Sequence, residues 1–325
     1  MPVMPRTYAQ VQAIAYEMSQ RPTMVASNQN AIMSATRPDG KSINLLDQFG
    51  LDRVLARQGM PIEEDFATNT SIGYASTGNT AVTMTPSMTG IWVIEYMESQ
   101  AGMLQVQLGG QLHCPFILFQ QGAGRASVTQ HGNTTAEAKY ANAVGLVVLN
   151  PHKVYDVKGL THAAIRYGGP VVFTYYSTEA SADIPDEPFV VPIGVSQVLT
   201  PGKDITIATS PPANVEVEAA LPDLTKAGIS AEYLDYRTVK PFDEATLIAS
   251  VKKTGKLMCV SHGYWTNDFS SHVMAVAAMG VPGAKLWRIT YPDGAAPYSR
   301  EMNLWMTPNA AKITDAVTKF VRQGG

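Results

Sequence analysis

From Thr7 to Gln20 the apolar positions Tyr8, Val11, Ile14, Ala15 and Met18 recur at helical spacing and predict an amphipathic helix. Met24-Val25-Ala26 predicts a short strand opening into the polar loop Ser27 to Asn30. A glycine- and threonine-rich helix is expected from Ser71 to Gly78, and another from Ile91 to Leu104, ending near Gly109-Gly110. Pro115 to Phe119 is a compact apolar strand running into the loop Gln120 to Gly132. Gly145 to Leu149 and Pro170 to Thr174 are continuous apolar runs that bracket a helix over Val154 to Tyr167. Apolar strands without alternation, separated by helices, argue for a parallel sheet covered on both faces.

The stretch Ser177 to Pro192 is rich in Ser, Asp, Glu and Pro, has no sustained period and reads as a linker. The alternation then restarts with strands at Asp204 to Thr209, Ala231 to Asp235, Leu257 to Ser261 and Lys285 to Thr290. Helices are expected at Val215 to Ala227, Asp243 to Thr254, Ser270 to Met279 and Ala310 to Val321. The expected organisation is an α/β protein of two domains with mainly parallel sheets: residues 1–180, a linker at 181–192, and residues 193–325.

Hydrophobic residues make up 45% of the 325 and charged residues 16%, enough for two cores and too apolar for a disordered chain. A net charge of -3 gives no electrostatic reason to expect nucleic acid or an anionic membrane as a partner. No segment approaches the roughly 18–20 consecutive apolar residues of a membrane span. The opening Met1 to Arg6 lacks the apolar run of a signal peptide, so a cytoplasmic location is expected. Cys114 and Cys259 lie among apolar neighbours and read as buried thiols. Fifteen methionines and low charge suggest surface to be buried against other subunits.

The residues alone offer little chemistry. The six histidines have no metal-ligand spacing, neither cysteine belongs to a CxxC, and no GxSxG elbow occurs. Gly122 to Ser127 begins like a dinucleotide fingerprint but lacks its third glycine. Taken by themselves, Glu64 reads as a solvated acid in the loop Glu63-Glu64-Asp65 and His131 as a loop histidine bonded to backbone.

An ordered set of motifs changes that picture. Pro61-Ile62-Glu63-Glu64 is followed by Gly73 and Gly78, nine and fourteen residues past Glu64, then by Gly109-Gly110 and Gln130-His131. Pro151, Asp156, Lys158, Gly159 and Leu160 follow, with Ala164-Ile165-Arg166 and Pro170 to Phe173. Further on come Gly228 to Glu232, Asp235 to Thr238, Pro241-Phe242-Asp243, Val251 to Gly255 and Leu304 to Ala310. This series resembles the beta subunit of the decarboxylating component of thiamine-diphosphate-dependent 2-oxoacid dehydrogenases, of pyruvate and branched-chain type, over almost the whole chain.

The resemblance implies a pyrimidine-binding-type first domain and a transketolase C-terminal-type second domain. It implies that Glu64 bonds the aminopyrimidine ring of thiamine diphosphate and favours the tautomer that takes the proton from the thiazolium carbon. It places His131 near the reacting carbon, suited to orienting substrate or moving a proton near neutral pH. The magnesium-diphosphate motif Gly-Asp-Gly occurs nowhere in this sequence. Mg2+ and the diphosphate are therefore expected on an alpha subunit in an α2β2 heterotetramer. A lipoyl acyltransferase is the further partner implied, and K+ a further ion.

Several positions depart from the family. Its Gly-Glu-Asp is replaced by Ser27 to Asn30, and the Ser-Gln after its histidine by Gly132-Asn133. Its aromatic over the pyrimidine falls near Thr89-Gly90, leaving Met88 or Trp92 as substitutes. An early glycine of its C-terminal domain is Pro211-Pro212. The acids near its monovalent-cation site look like Tyr167 and Gly169, so K+ would be held through carbonyls of Ala164, Tyr167 and Gly169. The function expected first is cleavage of a carbon-carbon bond next to a carbonyl, by 2-oxoacid decarboxylation with acyl transfer. The alternatives are an acyloin or ketone lyase or carboligase, and a non-catalytic structural or regulatory beta chain.

Overall fold

The computed structural model describes residues 3–28, 33–55, 64–86, 92–121, 136–175, 179–295 and 297–322. The chain divides into two compact units. The first holds Met1–Gly122, Lys139–Tyr175 and Glu179–Ile193, and the second is dominated by Gly194–Gly325.

In chain order the first unit carries β1 (Val3–Pro5), α1 (Arg6–Gln20), β2 (Val25–Asn28), β3 (Ser34–Thr36), β4 (Ser42–Asn44), α2 (Leu45–Phe49) and β5 (Val54–Leu55). Then come α3 (Glu64–Ala75), β6 (Ala81–Pro86), a π-helical turn (Tyr96–Gly102), α4 (Leu104–Gln107), β7 (Phe116–Gln121), α5 (Glu137–Asn142), β8 (Val147–Leu149), α6 (Val154–Tyr167), β9 (Val171–Tyr175) and β10 (Ser181–Asp183). Its main strands are parallel neighbours in the order β8-β9-β7-β6-β2-β5. One face is apolar: Ala26, Val82, Met84, Ile117, Phe119, Val171 and Phe173 pack with Val11, Ile14 and Met18 of α1 and Leu160 and Ala164 of α6.

A buried charge cluster ties α1 to α6. The carboxylate of Glu17 is 1% exposed; His162 Nδ1 lies 2.6 Å from it, Arg166 donates through Nε at 2.8 Å, and Arg21 completes the set. Burial alone would raise the Glu17 pKa, but the bonds from His162 and Arg166 and the charge of Arg21 outweigh it and hold the carboxyl below its usual value.

The segment expected to be a linker has more structure than its composition suggests. β10 pairs antiparallel with β1, and residues 185–191 cross α6. Lys158 is buried and donates to the carbonyls of Pro185 and Asp186, both at 2.7 Å, while Val191 N–H donates to Gly159 O at 3.2 Å. The Lys158-Gly159 dipeptide thus serves packing. A Cβ on Gly159 would stand 2.4 Å from Val191 Cγ2 and 2.8 Å from Phe189 Cε2. We expect Gly159→Ala to destabilise the first unit by about 1–3 kcal/mol, as overpacking does, read as a lower midpoint in urea.

The second unit carries β11 (Gln197–Thr200), β12 (Ile205–Thr209), α7 (Asn214–Lys226), β13 (Ala231–Asp235), β14 (Thr238–Lys240), α8 (Glu244–Thr254), β15 (Lys256–Tyr264), α9 (Phe269–Gly280), β16 (Lys285–Tyr291), α10 (Arg300–Met306) and α11 (Ala310–Arg322). Its five-stranded sheet runs β11-β13-β12-β15-β16, parallel except for β11. Val217, Ala220 and Leu224 of α7 and Ile313 and Val317 of α11 pack with Ile205, Ile207, Met258 and Val260 of the sheet. Glu216 accepts from Ala310 N–H at 2.8 Å, placing an acid at the N-terminus of α11 where the helix dipole favours it.

Both cysteines are buried, and burial pushes the Cys114 thiol up to about 12 and the Cys259 thiol up as well, so they stay protonated. Three local expectations differ. The helix foreseen from Ser71 begins at Glu64, so Glu64 opens a helix and does not lie in an acidic loop. The helix foreseen from Ile91 to Leu104 is a π-helical turn followed by the short α4. β11 escaped notice because an antiparallel edge strand with a register shift between Val198 and Thr200 has no clean period.

Candidate active site at the strand ends of the first unit

β2 has β5 on one side and β6 on the other, so successive strands leave it in opposite directions. Ligands of open α/β sheets bind at such a switch point, beyond the carboxyl ends of the strands. α3 connects β5 to β6 and covers this place. Its buried positions Ala67, Thr68, Ser71, Ile72 and Ala75 form one stripe at helical spacing.

Toward the carboxyl ends of the strands the α3 side of the sheet turns polar, while the opposite side stays apolar. Ser27 is the register partner of Thr83, and Thr85, Gln120 and Thr174 line up across β6, β7 and β9. Ser27, Ser71 and Thr83 form a closed triangle of buried hydroxyls: Ser27 Oγ to Thr83 Oγ1 2.8 Å, Ser27 Oγ to Ser71 Oγ 3.2 Å, and Thr83 Oγ1 donating to Ser71 Oγ at 2.7 Å. Three hydroxyls in a ring can each donate once and accept once, which makes the cluster self-sufficient. Thr174 Oγ1 donates to Leu149 O at 3.1 Å, and Gln120 Nε2 donates to Tyr140 Oη at 2.8 Å. Burial pushes the Tyr140 phenol far up, so it stays neutral.

Nearer the strand ends the bonding is incomplete. Among the described residues, Thr68 Oγ1, Thr85 Oγ1 and Gln120 Oε1 are buried without a hydrogen-bond partner. α3 returns against the direction of β6, since only five residues separate Ala75 from Ala81. With Ser71 bonded to Thr83, Thr68 lies one turn further toward the strand ends, level with Thr85, and the backbone of Glu64 lies a turn beyond that. The helix therefore brings Glu64 to the mouth of this polar face.

The remaining sequence candidates fall as follows. Met88 and His131 lie outside the described residues, and of Glu64 only the backbone is described. Trp92 is 53% exposed. Ala164 is buried in α6, Tyr167 is exposed, and Gly169 is half-buried beyond the helix. These three belong to the opposite end of the sheet, where an open recess of ≈ 620 Å³ is lined by Arg21, Ser76 to Gly78, His113, Ile165, Arg166 and Gly168 among others. The ends of α1, α3 and α6 meet there, and their carbonyl poles favour positive charge. Arg21 and Arg166 already supply it, and no carboxylate is in the lining. No role is derived for K+ at this end of the sheet.

Sequence reasoning missed the polar face. Its signal was present as Thr83 and Thr85 at alternate positions of one strand, with Gln120 and Thr174 at the ends of two apolar runs. Among the described residues no three His, Cys, Asp or Glu side chains cluster as for a metal, and no helix is long and apolar enough to cross a membrane.

Residues 194–313 match the family model of the transketolase C-terminal domain. Over 290 residues the chain is 32% identical to the pyruvate dehydrogenase E1 component subunit beta-1 of Oryza sativa subsp. japonica, covering 86% of this chain and 76% of that one. It is 28% identical to the 2-oxoisovalerate dehydrogenase subunit beta of Bacillus subtilis, covering 85% and 86%. It is 27% identical to the acetoin:2,6-dichlorophenolindophenol oxidoreductase subunit beta of Cupriavidus necator, covering 96% of each. A solved structure named split gene transketolase, inactive beta4 tetramer, shares the fold with a TM-score of 0.78 over 98% of each chain at 18% identity. With a two-domain α/β fold of mainly parallel sheets and this degree of identity, the chain belongs to the family of E1-component beta subunits of thiamine-diphosphate-dependent 2-oxoacid dehydrogenases, which work with an alpha subunit.

Proposed function

We propose that this beta chain, with an alpha partner and thiamine diphosphate, cleaves a carbon-carbon bond next to a carbonyl, by 2-oxoacid decarboxylation with transfer of the acyl unit to an acceptor such as a lipoyl group. The observation that carries the reading is the polar face at the switch point, with the backbone of Glu64 a turn beyond buried oxygens that lack partners. Those oxygens fit a heteroatom-rich ring or a polar substrate, since an unpaired buried acceptor is costly until a donor reaches it. Thiamine diphosphate supplies, when bound, the carbon nucleophile that this chain's own side chains lack.

On this reading the chain's residues do three things. Glu64 holds or gives up a proton at the pyrimidine ring, His131 handles a proton near the substrate, and the α3 face keeps water out. The diphosphate and Mg2+ fall to the alpha subunit, because this sequence has no Gly-Asp-Gly. A second reading, cleavage of an acyloin, is favoured by the neutrality of the polar face and by the similarity to the acetoin oxidoreductase subunit. The deciding experiment is turnover of a panel of 2-oxoacids and acyloins by the complex co-expressed with a Gly-Asp-Gly-bearing alpha chain. Activity of the beta chain alone, or none with any such partner, would sink the reading.

Assembly as α2β2 is supported by the apolar surface of the second unit. Trp265, Trp287, Tyr298, Met302 and Trp305 are 45–71% exposed, and Trp265 and Trp287 lie side by side with ring centroids 6.5 Å apart. We expect light scattering on the co-purified complex to give two chains of each kind, and Trp287→Glu to shift it toward smaller species. A tetramer untouched by that substitution would place the pairing surface elsewhere.

A further inference from the structure

The unpartnered oxygens of Thr68, Thr85 and Gln120 belong to residues at most 1% exposed. They are confined to the row nearest the strand ends, because the Ser27-Ser71-Thr83 triangle and Thr174 are already bonded. Thr85 and Gln120 are register neighbours on β6 and β7, which makes the row continuous. Two of the three can turn a hydroxyl either way. The Gln120 amide is turned so that Nε2 donates to Tyr140 at 2.8 Å, which leaves its carbonyl oxygen, an acceptor, as the end without a partner.

The charge around this row is equally one-sided. α3, β6, β7 and β9 contain no Lys, Arg or His, and the first turn of α3 adds Asp65. Among the described residues of these elements a carboxylate brought against this face would meet an acceptor and no cation, and a buried charge is tolerated only when paired. A hydroxyl meets the same acceptor with a donor and carries no charge to desolvate.

We propose that Gln120 is a specificity-determining residue: its Oε1, with the hydroxyl of Thr85 beside it, accepts a hydrogen bond from a substrate hydroxyl, so that this face selects α-hydroxyketones over 2-oxoacids. The proposal rests on the carbon-carbon cleavage reading and, within it, favours the acyloin branch over 2-oxoacid decarboxylation. Tyr140 is the positioning residue that holds the amide, accepting from its Nε2 at 2.8 Å. Sites built around a substrate hydroxyl discriminate strongly against analogues without one, since their own polar groups are then left unpaired.

The test uses the α–β complex loaded with thiamine diphosphate and Mg2+. One arm measures kcat/KM for acetoin and for pyruvate; the other measures, without turnover, binding of 2,3-butanediol and of methyl acetylphosphonate by quenching of protein fluorescence. Gln120→Met keeps the length of the side chain and removes the acceptor. It should cut kcat/KM for acetoin about ten- to hundredfold, mostly through KM, weaken the diol similarly, and move pyruvate and the phosphonate less than about threefold. Thr85→Val should act in the same direction with a smaller effect, and serves if Gln120→Met does not fold. Equal losses for both substrate classes, or diol binding unchanged in both variants, would overturn the proposal and leave the row as the seat of an ordered water only. If the complex cleaves neither class, the functional reading fails, and the diol titration alone decides whether Gln120 recognises a hydroxyl.

Discussion

Replacing Glu64 by Gln is expected to slow proton exchange at the thiazolium carbon of the bound cofactor about a hundred- to ten-thousandfold, the range lost when a positioned acid or base is removed. The substitution preserves shape and one hydrogen bond but abolishes the shared proton. Cofactor affinity should change far less, because the diphosphate and Mg2+ contacts are assigned to the alpha subunit. His131→Ala separates the two roles: substrate turnover should fall while proton exchange stays near the wild-type rate. Hydrogen-deuterium exchange followed by NMR of the quenched cofactor reads this directly. Wild-type exchange in Glu64→Gln would shift attention to Glu63 or Asp65, its neighbours in the sequence. Equal loss in both variants would show the two roles to be inseparable.

The second large effect is expected at Glu17. Its buried carboxylate is the common partner of His162, Arg166 and Arg21, so Glu17→Gln leaves those groups without the charge that holds them. Breaking a buried ion pair by removing one partner costs about 3–5 kcal/mol. Arg21 and Arg166 are 33% and 39% exposed and recover water, which places the expected loss near the lower end of that range. For a unit of this size that corresponds to a melting temperature lower by roughly 6–12 °C.

The same cluster sets an acid limit. The Glu17 pKa is depressed in the folded state, so its stabilisation is complete above the ordinary value of 4.5 and is lost as pH falls through the lower folded value. Wild-type stability should therefore decline below about pH 4.5, and the decline should be shallower in Glu17→Gln. Urea unfolding between pH 7 and pH 3 measures both slopes. Parallel slopes would mean that other carboxylates carry the acid sensitivity.

Much of the fold was legible in the residues because burial leaves a period. Helix α6 matches the expected limits Val154 to Tyr167, and the second-unit elements that were expected fall within a residue or two except β15, which runs on to Tyr264, while β11, β14 and α10 were not foreseen. The start of α3 was not legible, since Glu63-Glu64-Asp65 lacks apolar residues and its helical stripe appears only from Ala67 onward. The lysine and glycine of the Lys158-Gly159 motif were found by resemblance, but their job was not. Only the folded chain brings residues 185–191 across α6, where a side chain on Gly159 has no room.

What the sequence determined by itself was the kind of chain this is: alternating strands and helices, and a motif order specific enough to indicate a family. What the tertiary structure decided was which polar residues meet. Ser27, Ser71 and Thr83 sit far apart in the chain, and Thr85 and Gln120 on separate strands, yet strand order and register put them on one face. Local periodicity reports which side of an element is buried and is silent on what stands across from it. Strand order is set by how crossovers pack over the whole sheet, so the hydroxyl triangle, the unpartnered amide oxygen of Gln120 and the carboxylate shared by His162, Arg166 and Arg21 exist only once the chain has folded.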